Sequence, residues 1–178
     1  MQTDEQLAER LAAGDEPALR ELLGRYERRL GLFLHRQTGG RDVEDLYQET
    51  WLRVVRHAAR FDASRRFSTW LFQIAVNLCR DWQRRPPPEP HVGVDRAGGA
   101  PIERAEQALD AARLLAELPE AQREVVVLRY YQDLSEDEVA TILDIPRGTV
   151  KSRLHHALAR MSAVAGRDAR RDDGAVTR

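Results

Sequence analysis

Apolar residues recur at three- and four-residue intervals along most of this chain, and nowhere do they alternate in the two-residue rhythm of a strand. Thr3 followed by Gln6 predicts a capped helix near Asp4–Ala13, which Gly14-Asp15 ends. A second helix opens with Pro17 in its first turn and carries Leu19, Leu22, Leu23, Tyr26, Leu30, Phe33 and Leu34 to a stop at Gly39-Gly40. Val43, Leu46, Tyr47, Thr50, Trp51, Val54 and Val55 define a third over about Asp42–Ala58. After the polar loop Arg60–Arg66, Trp70, Leu71, Ile74, Ala75 and Leu78 define a fourth, with Ser68 as its expected cap.

The stretch 86–101 breaks this rhythm. It holds five of the eight prolines and three glycines, so it predicts an extended linker. Beyond it the spacing predicts an amphipathic helix over about Ile102–Leu118. A helix opened by Pro119 and carrying Val125, Val126, Leu128 and Tyr131 follows. Two shorter helices then meet at a tight turn. Ser135 and Glu138 form a capping box, and Val139, Ile142 and Leu143 make an apolar face. Asp144-Ile-Pro-Arg-Gly148 breaks the helix, with Asp144 suited to a left-handed position. From Arg147 the last helix puts Val150, Leu154, Ala157 and Leu158 on one side. Arg147, Lys151, Ser152, Arg153, His155, His156 and Arg160 lie on the other, with no acid among them. This is the layout of a helix-turn-helix, whose second helix enters the DNA major groove. About 14 residues give roughly 21 Å, enough to cross a groove about 12 Å wide. The fold class expected is all-α: two small helical domains, residues 1–85 and 102–165, joined by the flexible linker 86–101. A charged tail, 166–178, is expected to be disordered.

Charge sharpens this picture. The net charge is −1, which excludes a globally basic nucleic-acid binder. The basic residues are concentrated instead. Residues 60–85 hold six Arg against two acids, and 103–138 hold ten acids against four Arg. Two basic patches separated by acidic material predict two contacts with one polyanion. The lone Cys79 excludes an internal disulfide and a cysteine-based zinc site, and its apolar neighbours predict a packed thiol. No apolar run approaches the roughly 18 residues that span a bilayer, and the start has no signal-peptide pattern, so a cytoplasmic location is expected. The acids Asp42, Glu44, Asp45 and Glu49 could suggest a metal site or a helical enzyme. No histidine stands at ligand spacing, no nucleophile–base pair is present, and acids at a helix start suit the dipole. Neither a metal nor a cofactor is expected.

The motifs Asp42-Val-Glu-Asp-Leu-Tyr-Gln-Glu-Thr-Trp51, Phe61-Asp62, Phe67-Ser-Thr-Trp-Leu-Phe-Gln-Ile-Ala-Val-Asn77, Leu118-Pro-Glu-Ala-Gln-Arg-Glu124 and Gly148-Thr-Val-Lys-Ser-Arg-Leu154 follow in that order. From about residue 5 to residue 163 the chain closely resembles a bacterial RNA polymerase sigma factor of the small, extracytoplasmic-function group. Gly148-Thr-Val-Lys-Ser-Arg153 alone would suit other helix-turn-helix regulators, and its pairing with the earlier motifs narrows the field.

The resemblance implies a role for each segment. Asp45, Leu46, Gln48 and Glu49 would dock on the clamp helices of the largest subunit of core RNA polymerase. Arg60, Phe61, Arg65, Arg66, Asn77 and Arg80 would capture the opened promoter −10 strand, a task suited to cationic and aromatic side chains. Arg129, Arg147, Thr149, Lys151, Ser152, Arg153, His155 and His156 would read the −35 element, phosphates setting register and bases setting sequence. His156 stands where many relatives carry Arg. The same block would touch the flap of the second-largest subunit, and the linker would thread toward the RNA exit path. The implied partners are core polymerase, promoter DNA and an anti-sigma factor, with no small-molecule substrate and no catalytic residue. A stand-alone helix-turn-helix repressor or activator is the rival from another class. It would need a dimer to read a two-part site, and no coiled-coil heptad or ligand domain is visible.

Overall fold

The computed structural model describes residues 2–85 and 111–175, with side chains described as far as Gly166. The expected linker 86–101 and the first part of the expected 102–118 helix lie outside the described residues. Helices account for the ordered structure, and no strand occurs among the described residues.

Helix α1 (Asp4–Ala12) begins with the expected capping box, Thr3 accepting from the Gln6 backbone while the Gln6 side chain accepts from Thr3. Helix α2 (Glu16–Thr38) ends at Gly39, whose φ of 65° is left-handed. Helix α3 (Val43–His57) runs on into a single tight turn, Ala58–Arg60. Helix α4 (Phe67–Gln83) starts one residue before the expected cap. Ser68 lies inside the helix, and Arg66 holds the cap position without a side-chain bond. The missing cap comes from elsewhere in the chain: Glu5 of α1 accepts a hydrogen bond from the Phe67 backbone N–H at 3.1 Å. A cap supplied across sixty residues has no local sequence signal.

Phe33, Phe67 and Phe72 are fully buried between these four helices, together with Leu22, Leu30 and Leu71. Phe33 meets Phe72 edge-on at 5.3 Å, and Tyr26 meets Phe67 at 5.4 Å, the arrangement ring quadrupoles favour. Asp4 accepts from the Tyr26 hydroxyl at 2.5 Å and pairs with Arg25, which ties α1 to α2. Burial, then the bond to Asp4, pushes the Tyr26 phenol far above its usual value. Trp51 belongs to this core, as expected, and Trp82 at its margin is half-buried and donates to Asp42 at 2.7 Å.

In the C-terminal block residues 111–116 are helical, and α5 (Glu120–Val126) opens after Pro119. Its last turn, Val127–Tyr131, widens to π geometry. Helix α6 (Glu136–Leu143) has both halves of the expected capping box, and Asp144 takes the expected left-handed φ of 54°. Helix α7 (Arg147–Ala175) starts as expected and then continues as far as Ala175, into the stretch expected to be disordered, whose residues 176–178 lie outside the described residues. The correction has a simple cause: no proline follows Pro146, and the two glycines of this stretch, Gly166 and Gly174, cost only about 1 kcal/mol each against alanine inside a helix. Val139, Ile142, Leu143, Val150, Leu154 and Ala157 close the helix-turn-helix core, while Leu158 turns half outward.

The two blocks touch. Helix α4 packs against α6, and α2 packs against α5 and its π turn.

Candidate nucleic-acid interface

On α7 the buried Val150, Leu154 and Ala157 fix the helix rotation, so Lys151, Ser152, His155 and His156 all face solvent. The rings of His155 and His156 lie 5.8 Å apart. Ser152 donates its hydroxyl to the Thr149 carbonyl at 3.0 Å, so Thr149 serves the first turn of the helix as much as its surface. Arg153 and Thr149 are half-buried, and Arg129 lies over the Tyr130 ring at 5.7 Å on the preceding element. The structure thus brings together Lys151, Ser152, His155 and His156, with Arg147 at the leading end.

Arg147 and Lys151 are not free cations. Arg147 pairs with Glu136 at 3.1 Å and Asp137 at 3.3 Å, and Lys151 stands 3.9 Å from Glu136. The absence of acids between Arg147 and Arg160 hid this, because the acids come from the first turn of α6 across the bend.

The residues assigned to the −10 strand fall into three environments. Arg60, Arg65 and Asn77 are exposed. Phe61 is half-buried in an aromatic cluster, 5.1 Å from Trp70 and 5.8 Å from Phe67, so its ring is a wall of the loop. Arg66 and Arg80 are held by the other block, with Arg66 pairing to Glu138 at 2.8 Å. Arg80 makes a two-pronged pair with Glu124, at 2.7 and 2.8 Å. That hydrogen bond raises the Arg80 pKa further. Asp62 shapes the loop itself: it accepts from the Ser64 N–H at 3.0 Å, and the bonds from Ser64 hold its carboxyl below the usual range. Gln73 is half-buried one helical turn before Asn77, on the same side of α4, and carries a second amide that sequence reading passed over.

The acidic docking candidates divide as well. Asp45 and Gln48 are exposed, and Glu49 is half-buried and pairs with Arg53 at 2.9 Å. Leu46 is 6% exposed and belongs to the core, so it cannot offer its side chain to a partner as the structure stands. Leu52 and Val55, 50% and 44% exposed, continue the strip begun by Asp45 and Gln48. The signal for Leu52 was present in the sequence, since it falls outside the apolar register of α3; Val55, expected in that register, turns outward at its edge instead.

Cys79 is buried, as expected, and burial followed by the nearby Glu124 and Glu120 charges pushes its thiol up to about 12. Among the described residues no cluster of His, Cys, Asp or Glu is placed to hold a metal, and no helix is long and apolar enough to cross a membrane.

A helix-turn-helix with an outward basic helix, joined to a four-helix unit with an acidic and apolar strip, defines a two-domain DNA-binding protein. Family comparison is more specific. Residues 22–86 match Sigma-70 region 2, and residues 108–161 match Sigma-70, region 4. The chain is 32% identical over 160 residues to the ECF RNA polymerase sigma factor SigW of Bacillus subtilis, covering 80% of this chain and 86% of that one. It is 34% identical over 172 residues to the ECF RNA polymerase sigma-E factor of Escherichia coli, covering 87% and 90%. Among solved structures, CnrH in complex with the cytosolic domain of CnrY superposes with a TM-score of 0.74 at 30% identity, covering 93% of this chain and 98% of that one. The sigma factor RpoE bound to the anti-sigma factor NepR from Bartonella quintana shares the fold, with a TM-score of 0.67 at 21% identity over 83% and 96% of the two chains. The chain belongs to the extracytoplasmic-function sigma factors.

Proposed function

We propose that this protein binds core RNA polymerase in the cytoplasm and directs it to a dedicated promoter set, reading a −35 element and opening a −10 element. Residues 1–85 form the docking and −10 unit, and residues 102–165 the −35 unit. The observation that carries this reading is the outward face of α7. Its Lys151, Ser152, His155 and His156 stand clear of the core on a helix long enough to lie across a major groove. Nucleotide addition belongs to the core enzyme, and this chain supplies recognition. Asp45, Gln48 and Glu49, extended by Leu52 and Val55, contact the largest subunit. An anti-sigma factor is a further partner, since CnrH and RpoE are each bound to another protein in their structures.

Run-off transcription over genomic fragments, with core polymerase alone and with this protein added, tests the reading. Discrete new transcripts sharing two spaced upstream elements are the expected result. Duplex binding with no association with core polymerase would instead identify a stand-alone regulator. Glu49→Lys separates the two activities: it should abolish assembly with polymerase while DNA binding by α7 persists.

A further inference from the structure

A half-open cavity of about 560 Å³ lies where the ends of α2 and α4 meet helix 111–116 and the start of α5. Its volume falls in the range of small-molecule sites, roughly 300–1,000 Å³. None of its residues belongs to the surfaces assigned to promoter DNA or to polymerase. Gln37, on its wall, is 2% exposed, and its Nε2 has no hydrogen-bond partner. The large majority of buried side-chain polar atoms are hydrogen-bonded, so an enclosed amide without an acceptor marks a place where an acceptor belongs.

The cations around the cavity point the same way. Arg36, Arg41 and Arg123 line it, and none of them forms an ion pair among the described residues. Arg36 stacks 4.0 Å over Tyr131, and Arg41 stacks 4.8 Å over Trp82. Arg123 donates to four backbone carbonyls, those of Gln37, Leu115, Ala116 and Leu118. These bonds fix the guanidinium in place and supply no net negative charge. Burial pulls Arg36 and Arg123 below their usual values, and the Glu120 charge only partly offsets this at Arg123. The carbonyls that end α2 would oppose an anion, but Arg123 and Arg41 already bind those of Gln37 and Thr38.

Charge and shape narrow the ligand. Three guanidiniums against the one carboxylate of Glu120 leave two positive charges in surplus, with His35 counted as neutral. A phosphate monoester carries about −1.5 to −2 at pH 7 and offers three strong acceptor oxygens, whereas a carboxylate carries a single charge. Guanidiniums hold phosphate oxygens through paired, charge-assisted N–H bonds. Trp82, Ala112, Leu115 and Ala116 supply a largely apolar wall for the body of the ligand.

We propose that this cavity binds a small phosphate monoester, its phosphate accepting from Gln37 Nε2 and set among Arg36, Arg41 and Arg123. The site draws side chains from both blocks, so an occupant adds contacts on each side of their junction and stabilises the folded chain by mass action.

The test uses the full chain, with inorganic phosphate and glycerol 3-phosphate as probes and glycerol and acetate as controls, all at matched ionic strength. Isothermal titration measures affinity. The side-chain amide signals of a nitrogen–proton correlation spectrum locate binding, the Gln37 pair being identified by its loss in Gln37→Leu. That variant removes the donor at nearly constant volume and leaves no polar atom unpaired there. Arg41→Gln removes an exposed cation from the rim. Arg56→Gln, exposed and outside the cavity, makes the same change in net charge and is the control. Thermal melts by circular dichroism establish that each variant is folded. The expected result is that both phosphate probes bind and shift the Gln37 amide, while glycerol and acetate do neither. Affinity should fall about tenfold in Gln37→Leu and in Arg41→Gln, the loss of one bond to a charged group, and stay unchanged in Arg56→Gln. No binding of either probe at millimolar concentration would overturn the site. Binding that leaves the Gln37 amide unmoved, or that weakens as much in Arg56→Gln as in Arg41→Gln, would overturn it as general charge attraction. Acetate binding as tightly as phosphate would overturn the choice of ligand.

Discussion

Leu46 and Leu52 lie on the same helix and face opposite ways, so truncating each tests which side of α3 meets polymerase. Leu46 is 6% exposed and packs in the core, whereas Leu52 is 50% exposed. Leu46→Ala deletes a buried isobutyl group and leaves a cavity, a change that costs about 2–5 kcal/mol. In a chain of this size each kcal/mol lowers Tm by about 2–4 °C. A mid-range loss of about 3 kcal/mol then corresponds to a drop of about 6–12 °C. Leu52→Ala removes a side chain that already faces water and should change stability by no more than about 0.5 kcal/mol. At an interface the same truncation should cost about 1.4 kcal/mol or more, a tenfold weaker Kd. Thermal melts by circular dichroism, paired with equilibrium binding to core polymerase well below the lower Tm, separate the two effects. Leu46→Ala should melt early and bind nearly normally while folded. Leu52→Ala should melt normally and bind poorly. The opposite pairing, or a Leu52→Ala protein normal in both assays, would refute the assignment of the outer strip as the docking surface.

Three other outcomes are expected. Ser135→Ala removes one half of the α6 capping box and should cost about 1 kcal/mol; an unchanged Tm would show that the cap contributes nothing. Glu136→Gln releases Lys151 and leaves Arg147 held by Asp137 alone, so duplex affinity should rise and the slope of log affinity against log salt should steepen by about 1; an unchanged slope would mean that Lys151 does not reach phosphate. Burial alone would raise the Glu138 carboxyl, but hydrogen bonds from Ser135 and the pair with Arg66 outweigh it and hold the value below normal. A carboxyl lowered in this way stabilises fully above its unfolded value, about pH 4.3, and the contribution fades as pH falls through the lower folded value. Acid should therefore loosen α6 and its hold on Arg66, and scattering across a pH series in Glu138→Gln, compared with the unaltered chain, should show that the variant lacks this transition.

Most of the helix boundaries were legible because each rests on a local rule. Thr3 with Gln6, Ser135 with Glu138, Gly39 and Asp144 act through neighbours within four residues, and all four behave as their chemistry requires. What was not legible involved residues distant in the chain. Glu5 capping α4, Glu136 holding Arg147 and Glu124 holding Arg80 each need a tertiary meeting that periodicity does not encode. The site followed the same division. The outward set on α7 could be read from the buried set on the same helix. Leu46 was assigned to a partner surface by motif position, although its place in the apolar register of α3 puts it in the core.

The widened turn at Val127–Tyr131 bears on how this region could change by insertion or deletion. A π turn carries its extra residue without ending the helix. Losing one residue there would restore ordinary helical pitch and spare the backbone, so the lesion would pass almost unnoticed in helix content. What lies downstream would keep its phase, because a turn closed i→i+5 carries one more residue than one closed i→i+4 over about the same rotation. The helix-turn-helix would survive as a folded object still aimed in its present direction. That makes this turn a slack point, where the chain can lose a single codon while the geometry of recognition is preserved.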